Sequence, residues 1–271
     1  MIIIGEKLNG TIPSMKKAIL ARDEQTLRDL AKKQADAGAH FLDVCASTSP
    51  EIEVETLKWM IDVVQDTVDT PICIDSPNIK ALEKVIPYIK RPGLINSVAQ
   101  EGGKCNIIFP LIKGTEWQVI AQTTDDNGIP NDSKGRVAIT KYVVETAAKY
   151  DITPDRIHID PLITAISADN NSVINFADTV KEVKAMYPTI KITAAISNIS
   201  FGMPLRKVLN QHFYALAAYI GLDSAVMDPC NRDLYTSMLV TETLLGRDRL
   251  CRKFTNAYRK NEIGPVKVEG K

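Results

Sequence analysis

Carboxylates, amides and hydroxyls recur in this chain at one kind of place, the last residues of a short apolar, β-branched run. Glu6 and Asn9, Asp43, Asp75, Asn96 and Ser97, Gln122, Asp160, Ser197 and Asn198, and Asp228 all stand there. Such a set, with no Arg or Lys at the same strand ends, suits a ligand rich in N–H donors with a carbonyl or two. It does not suit a phosphate, which calls for glycine-rich helix N-termini or cationic forks; neither G-x-x-x-x-G-K-[ST] nor G-x-G-x-x-G occurs. Carboxylates also bind hard cations, but the histidines are badly placed. His40 precedes its run, His158 lies two residues ahead of Asp160 on the same run, and His212 falls inside a predicted helix. Cys45 and Cys230 could approach each other, yet a tetrahedral zinc site usually takes three or four protein ligands and no third is evident. The reading is that this chain binds no metal. Any one of these aspartates alone reads equally well as a solvated surface group; their repetition at equivalent positions argues for a site.

The runs that must position them are Met1 to Asn9, His40 to Ala46, Pro71 to Asp75, Gly93 to Ser97, Trp117 to Thr124, Arg156 to Asp160, Lys191 to Asn198 and Asp223 to Asp228. Each has strand length and is followed by turn chemistry. Helical periodicity fills the gaps. Between Glu24 and Ala37, for instance, Leu27, Leu30 and Ala31 share a face and Gly38 stands where a helix C-cap is expected. Strand and helix alternating through eight units means parallel pairing with right-handed crossovers. That closes most simply into an α/β (β/α)8 TIM barrel, with an open doubly wound sheet as the alternative. In a closed barrel the loops after the strands form the active-site face, so the polar residues converge on one rim. The two-residue period points Asp43 with Cys45, and Cys73 with Asp75, to the same side.

The 271 residues and their 45% hydrophobic content fit one barrel domain, expected over 1–262 with a loosely held tail over 263–271. Lys plus Arg equals Asp plus Glu at 33 each, so the net field does not attract nucleic acid or an anionic membrane surface. The opening Met1-Ile2-Ile3-Ile4-Gly5-Glu6 lacks the basic region and long apolar core of a signal peptide, and no apolar run is long enough to span a bilayer. Five widely spaced cysteines without C-x-x-C spacing point to reduced thiols and a cytoplasmic protein.

Ile3-Ile4-Gly5-Glu6-Lys7-Leu8-Asn9-Gly10, Ala37-Gly38-Ala39-His40-Phe41-Leu42-Asp43-Val44, Cys73-Ile74-Asp75-Ser76, Ile95-Asn96-Ser97, Ile159-Asp160-Pro161-Leu162 and Ile196-Ser197-Asn198-Ile199-Ser200 together carry a family resemblance. The ordered set, which covers essentially the whole chain, resembles the pterin-binding methyltransferases. It is most like those acting between methyltetrahydrofolate and a corrinoid/iron–sulfur protein, with the pterin domain of cobalamin-dependent methionine synthase and dihydropteroate synthase as more distant relatives. The resemblance implies a pterin in the mouth of the barrel. Asp75, Asn96 and Asp160 would hold its aminopyrimidinone edge, Asp43 would support the same network, and Asn198 would stand near nitrogen-5. Glu6, Asn9 and Ser197 would line the same rim, and Arg206 would contact the pterin or its glutamate tail. After Ser200 the chain reads Phe201-Gly202-Met203-Pro204-Leu205-Arg206, less polar than in the corrinoid/iron–sulfur enzymes, a difference that bears on partner choice.

The implied activity is transfer of a methyl group, in either direction, between nitrogen-5 of methyltetrahydrofolate and the cobalt of a corrinoid. Nitrogen-5 is a poor leaving group and must be protonated or hydrogen-bonded as its carbon bond breaks. An Asn amide offers both N–H and carbonyl, which makes Asn198 the catalytic candidate with Asp160 behind it. The chain has no D-x-H-x-x-G to supply a lower axial histidine and no second domain for a macrocycle, so the corrinoid (cobalamin) must arrive on a partner protein. A homodimer is also implied. Two other readings are weighed: a non-catalytic folate-binding module, which needs Asp75, Asn96 and Asp160 but not Asn198, and a dihydropteroate-synthase-like enzyme. The latter needs an S-x-R-x-H signature where this chain has Pro229-Cys230-Asn231-Arg232.

Overall fold

The computed structural model describes residues 1–266. Eight parallel strands close into a barrel in sequence order. They are β1 (Ile2–Asn9), β2 (Phe41–Cys45), β3 (Ile72–Asp75), β4 (Leu94–Val98), β5 (Gln118–Gln122), β6 (Ile157–Asp160), β7 (Lys191–Ala195) and β8 (Ser224–Met227). β1 is flanked by β2 and β8, which closes the ring and removes the open edges of the alternative sheet. Outside lie α1 (Pro13–Leu20), α2 (Glu24–Asp36), α3 (Pro50–Gln65), α4 (Ile79–Val85), α5 (Lys104–Ile112), α6 (Ser133–Ala148), α7 (Ser172–Met186), α8 (Arg206–Ile220), α9 (Arg232–Leu244) and α10 (Arg252–Arg259).

Sequence rules account for the helices. α2 begins at Asp23, whose carboxylate accepts the Thr26 N–H at 3.2 Å. It buries Leu27 and Ala31 and stops before Gly38, whose φ of 86° is left-handed and costs glycine little. The strands alternate as expected. On β2, Leu42 and Val44 face outward into the large core shared with the helices, while Phe41 joins an inner cluster with Ile4, Cys73, Leu94 and Ile120.

The barrel interior is therefore layered. At the floor, buried His158 bonds Ser224 Oγ at 2.8 Å and Gln118 Oε1 at 2.9 Å. Burial pushes its pKa down to about 3, so it is a neutral structural plug. The apolar cluster fills the middle, and the polar strand ends form the mouth. At the other end of the chain Arg232 donates to the carbonyls of Asn261, Ile263 and Gly264, and Ile263 is buried. The rest of the segment expected to be loosely held, 267–271, lies outside the described residues.

One strand departs from expectation. β7 ends at Ala195, and Ile196–Ser200 coils into a 3₁₀ turn instead of continuing extended to Asn198. Ser and Asn compete locally for backbone bonds. Arg206 holds this turn, donating through Nε to Ser200 Oγ at 3.0 Å and through Nη2 to the Ser197 carbonyl at 3.1 Å.

Candidate active site

The carboxyl ends of the strands surround a cavity of about 550 Å³. Glu6, Asn9, Asp43, Asp75, Asn96, Asp160, Ser197, Asn198 and Arg206 all line it, whereas Ser97 and Asp228, also at strand ends, do not; Asp228 reaches the site through its pairing with Lys7. Gln122 lies on the same wall; Ile120 and Val226, from the apolar layer, meet the cavity from below.

Each acidic group is prepared by its surroundings. Asp43 is buried and accepts from Asn96 Nδ2 at 3.5 Å. Its carboxyl is held well above the usual range, first by burial and then by the charge of Asp75. Asp75 is pushed up to about 6, by burial and by Glu53 behind it. Glu53 is itself anchored by Ser76 Oγ at 2.5 Å and Asn78 Nδ2 at 3.0 Å. Asp160 is also raised to about 6 by burial, against the lowering effect of the Leu162 N–H that it accepts at 2.8 Å. Leu162 holds a left-handed φ of 61° at the edge of the mouth, a conformation rare for a side chain of its kind and fixed by that bond. Carboxyls desolvated in this way ionise more readily once a ligand offers N–H donors, and a carboxylate set against two adjacent donors fixes orientation as well as energy.

Lys7 was invisible to the two-residue period. The expectation of a mouth without Lys or Arg at the strand ends fails here, because β1 pairs Gly5 with Leu42 but Leu8 with Val44. That is one extra residue on β1, a bulge, and it turns the consecutive Glu6 and Lys7 both into the cavity. The Lys7 N–H, shifted out of the ladder, donates instead to Gln34 Oε1 of α2 at 2.9 Å. A Cβ on Gly5 would meet that oxygen at 2.6 Å, so glycine is what lets Gln34 reach the bulge. Lys7 Nζ then pairs with Asp228 Oδ2 at 3.5 Å. Glu6 is pushed up to about 7 by burial and by Asp228, with Lys7 and Arg206 pulling the other way. A Gly preceding two charged residues near a strand end was the available signal for the bulge.

Asn198 and Ser197 ride on the 3₁₀ turn at the rim, and Arg206 lies over the Phe201 ring at 4.7 Å, a cation–π contact at the cavity wall. Phe201 and Leu205 are 51% and 77% exposed beside the opening.

Residues 5–228 match the model of the pterin binding enzyme family. Methylcorrinoid:tetrahydrofolate methyltransferase of Eubacterium limosum is 51% identical over 271 residues, covering 99% of this chain and 100% of that protein. Methionine synthase of Mycobacterium leprae is 28% identical over 84% of this chain, which corresponds to 20% of that longer protein. Among solved structures, Yersinia pestis dihydropteroate synthase with a pterine-sulfa conjugate superposes with a TM-score of 0.65 at 14% identity, over 90% of this chain and 94% of the other. The Xanthomonas albilineans enzyme in complex with 7,8-dihydropteroate gives 0.63 at 16%, over 90% and 92%. At these identities the structures establish the barrel alone, whereas the sequence match spans the strand ends that build the mouth: the chain belongs to the pterin binding enzymes.

Proposed function

We propose that this protein is a methyltransferase that moves a methyl group between nitrogen-5 of tetrahydrofolate and the cobalt of a separate corrinoid protein. The observation that carries the reading is the 51% identity, end to end, with an enzyme of that name. The single cavity that gathers the acceptor residues supports it. In this reading Asp75, Asn96 and Asp160 grip the aminopyrimidinone edge, Asp43 backs Asn96, and Ser197, Glu6, Asn9 and Arg206 complete the rim. Toward folate, the nitrogen-5 lone pair takes the methyl carbon, the cobalt–carbon electron pair stays with cobalt as Co(I), and nitrogen-5 gives up its proton. In reverse, nitrogen-5 takes a proton as its carbon bond breaks. The Asn198 amide, with a donor and an acceptor, serves both forms of that nitrogen. One barrier is lowered both ways, so direction follows the concentrations of the partners.

The same reading includes a cytoplasmic enzyme, a homodimer, no metal held by this chain and one barrel over 1–262. Among the described residues no helix is long and apolar enough to cross a membrane. The test is anaerobic: mix the protein with methyltetrahydrofolate and cob(I)alamin, follow loss of the Co(I) absorbance, and repeat from methylcobalamin and tetrahydrofolate. Turnover in both directions supports the proposal. Tight folate binding with no transfer to free cobalamin or to any corrinoid protein favours the binding module, and no folate binding overturns the pterin reading.

A further inference from the structure

Arg136, in the first turn of α6, is 1% exposed. Its Nε donates to the Pro130 carbonyl at 3.1 Å, while its Nη1 is buried and meets no acceptor among the described residues. A guanidinium does not shed its charge, and a buried charge without partners is costly. Asp132, Asp160 and Asp169 are close enough to act on it electrostatically. Each, however, is committed to a backbone N–H: Asp132 to Gly135 at 2.9 Å, Asp160 to Leu162 at 2.8 Å and Asp169 to Asn171 at 2.8 Å. Among the described residues the cation forms no ion pair within salt-bridge distance.

Arg136 forms part of the wall of a second cavity, of about 520 Å³, with Asn131, Thr164, Asn171, Asn175 and one acid, Asp169, whose carboxylate accepts the Asn171 N–H. The amino end of the 15-residue α7 opens onto it, with Asn171 at the N-cap and Asn175 in the first turn, so unbonded N–H groups and the positive end of the helix add to the guanidinium. The β6–α7 loop borders both this cavity and the mouth: Leu162 lines the mouth and Thr164 the cavity. Arg206, the cation the sequence pointed to for a glutamate tail, spends Nε and Nη2 on the 3₁₀ turn.

We infer that the cavity at Arg136 is a carboxylate subsite, and that the carboxylate it takes belongs to the glutamyl tail of the folate whose pterin occupies the mouth. The inference rests on the proposed function. It follows from charge: the pterin edge needs acceptors, which the mouth supplies, while the far end of the same molecule is an anion and needs the donors that Arg136 and α7 hold across one loop.

The test measures binding of methyltetrahydrofolate and of its bis-amide, in which both glutamyl carboxylates are neutral, by calorimetry on the wild type, Arg136→Met and Arg136→Lys. The wild type is expected to prefer the acid by about tenfold or more, Arg136→Met to bind both equally, and Arg136→Lys to keep part of the preference. The ratio is read within one protein, so a partly misfolded variant lowers the stoichiometry without imitating the result. Equal binding of acid and amide by the wild type overturns the inference. If glutarate alone then raises the melting temperature of the wild type but not of Arg136→Met, the subsite exists but serves an independent carboxylate, which also overturns the tail assignment. Failure of the wild type to bind either folate removes the pterin reading and this inference with it.

Discussion

Asp160 shows how one side chain joins binding to stability. Its carboxyl titrates at about 6 in the folded protein against an ordinary 3.8, so between those values the native state holds a proton that the unfolded chain has lost. Stability from this group is fully present below about 3.8 and is lost as pH rises through about 6, a difference of about 3 kcal/mol. Asp160→Asn keeps an acceptor for the Leu162 N–H but does not titrate. Denaturant unfolding is expected to find the variant matched to the wild type near pH 4 and more stable by up to about 3 kcal/mol near pH 8, while its folate binding weakens because the charged acceptor is gone. At Asn198 the expectation is reversed. Asn198→Ala should lower methyl transfer by about a hundredfold, the scale of losing one well-placed hydrogen bond to reacting atoms. Methyltetrahydrofolate affinity should stay within a few-fold. Stopped-flow loss of Co(I) absorbance checks the first and calorimetry the second, and an unchanged rate at every pH removes Asn198 from the chemistry.

At the scale of elements, the decisive feature is the bulge on β1. Gly5, Gln34 and Lys7 form one device: glycine makes room, the amide oxygen of α2 takes the Lys7 N–H, and the extra residue turns Glu6 and Lys7 inward together. Gln34→Leu keeps much of the volume and removes the acceptor. It should cost about 1–3 kcal/mol, the penalty of an unpaired buried donor. Hydrogen exchange at the Lys7 amide should accelerate, and KM for folate should rise more than kcat falls, because the Lys7–Asp228 pair loses its footing. A variant of unchanged stability and exchange would show that Gln34 is a bystander. The 3₁₀ turn after β7 plays the matching part across the mouth, where Arg206 braces the backbone that carries Ser197 and Asn198.

For the whole molecule, the barrel sorts chemistry by depth: a neutral histidine plug, an apolar waist and a ring of desolvated carboxyls at the top. The helices return from the mouth toward the floor, so their carboxyl halves lie far from the opening. On two neighbouring helices there, Leu216 and Tyr219 of α8 and Leu244 of α9 are 52%, 78% and 80% exposed. A homodimer built on this face would leave the mouth free for a corrinoid protein, with Phe201 and Leu205 beside the opening as apolar contacts for it. Sedimentation is expected to give a dimer for the wild type and a monomer for Tyr219→Asp/Leu244→Asp, with transfer to free cobalamin retained. A dimer that survives both charges places the interface elsewhere.

The eight-fold strand–helix rhythm, the acceptors at the strand ends and their family resemblance were all legible in the sequence, because alternation and turn chemistry are local and a parallel barrel brings every strand end to one rim. Asp43, Asp75, Asn96 and Asp160 could therefore be named before any coordinate. Lys7 could not, since a bulge breaks the period that places side chains. The turn at Asn198 is likewise braced by Arg206, whose contacts form only after α8 packs against that turn. Tertiary structure alone decided the rest: carboxyl pKa values set by burial, and an Arg136 Nη1 that meets no acceptor among the described residues, beside a second cavity. Desolvation and partner geometry depend on what the whole fold packs around a group, and no window of sequence contains that.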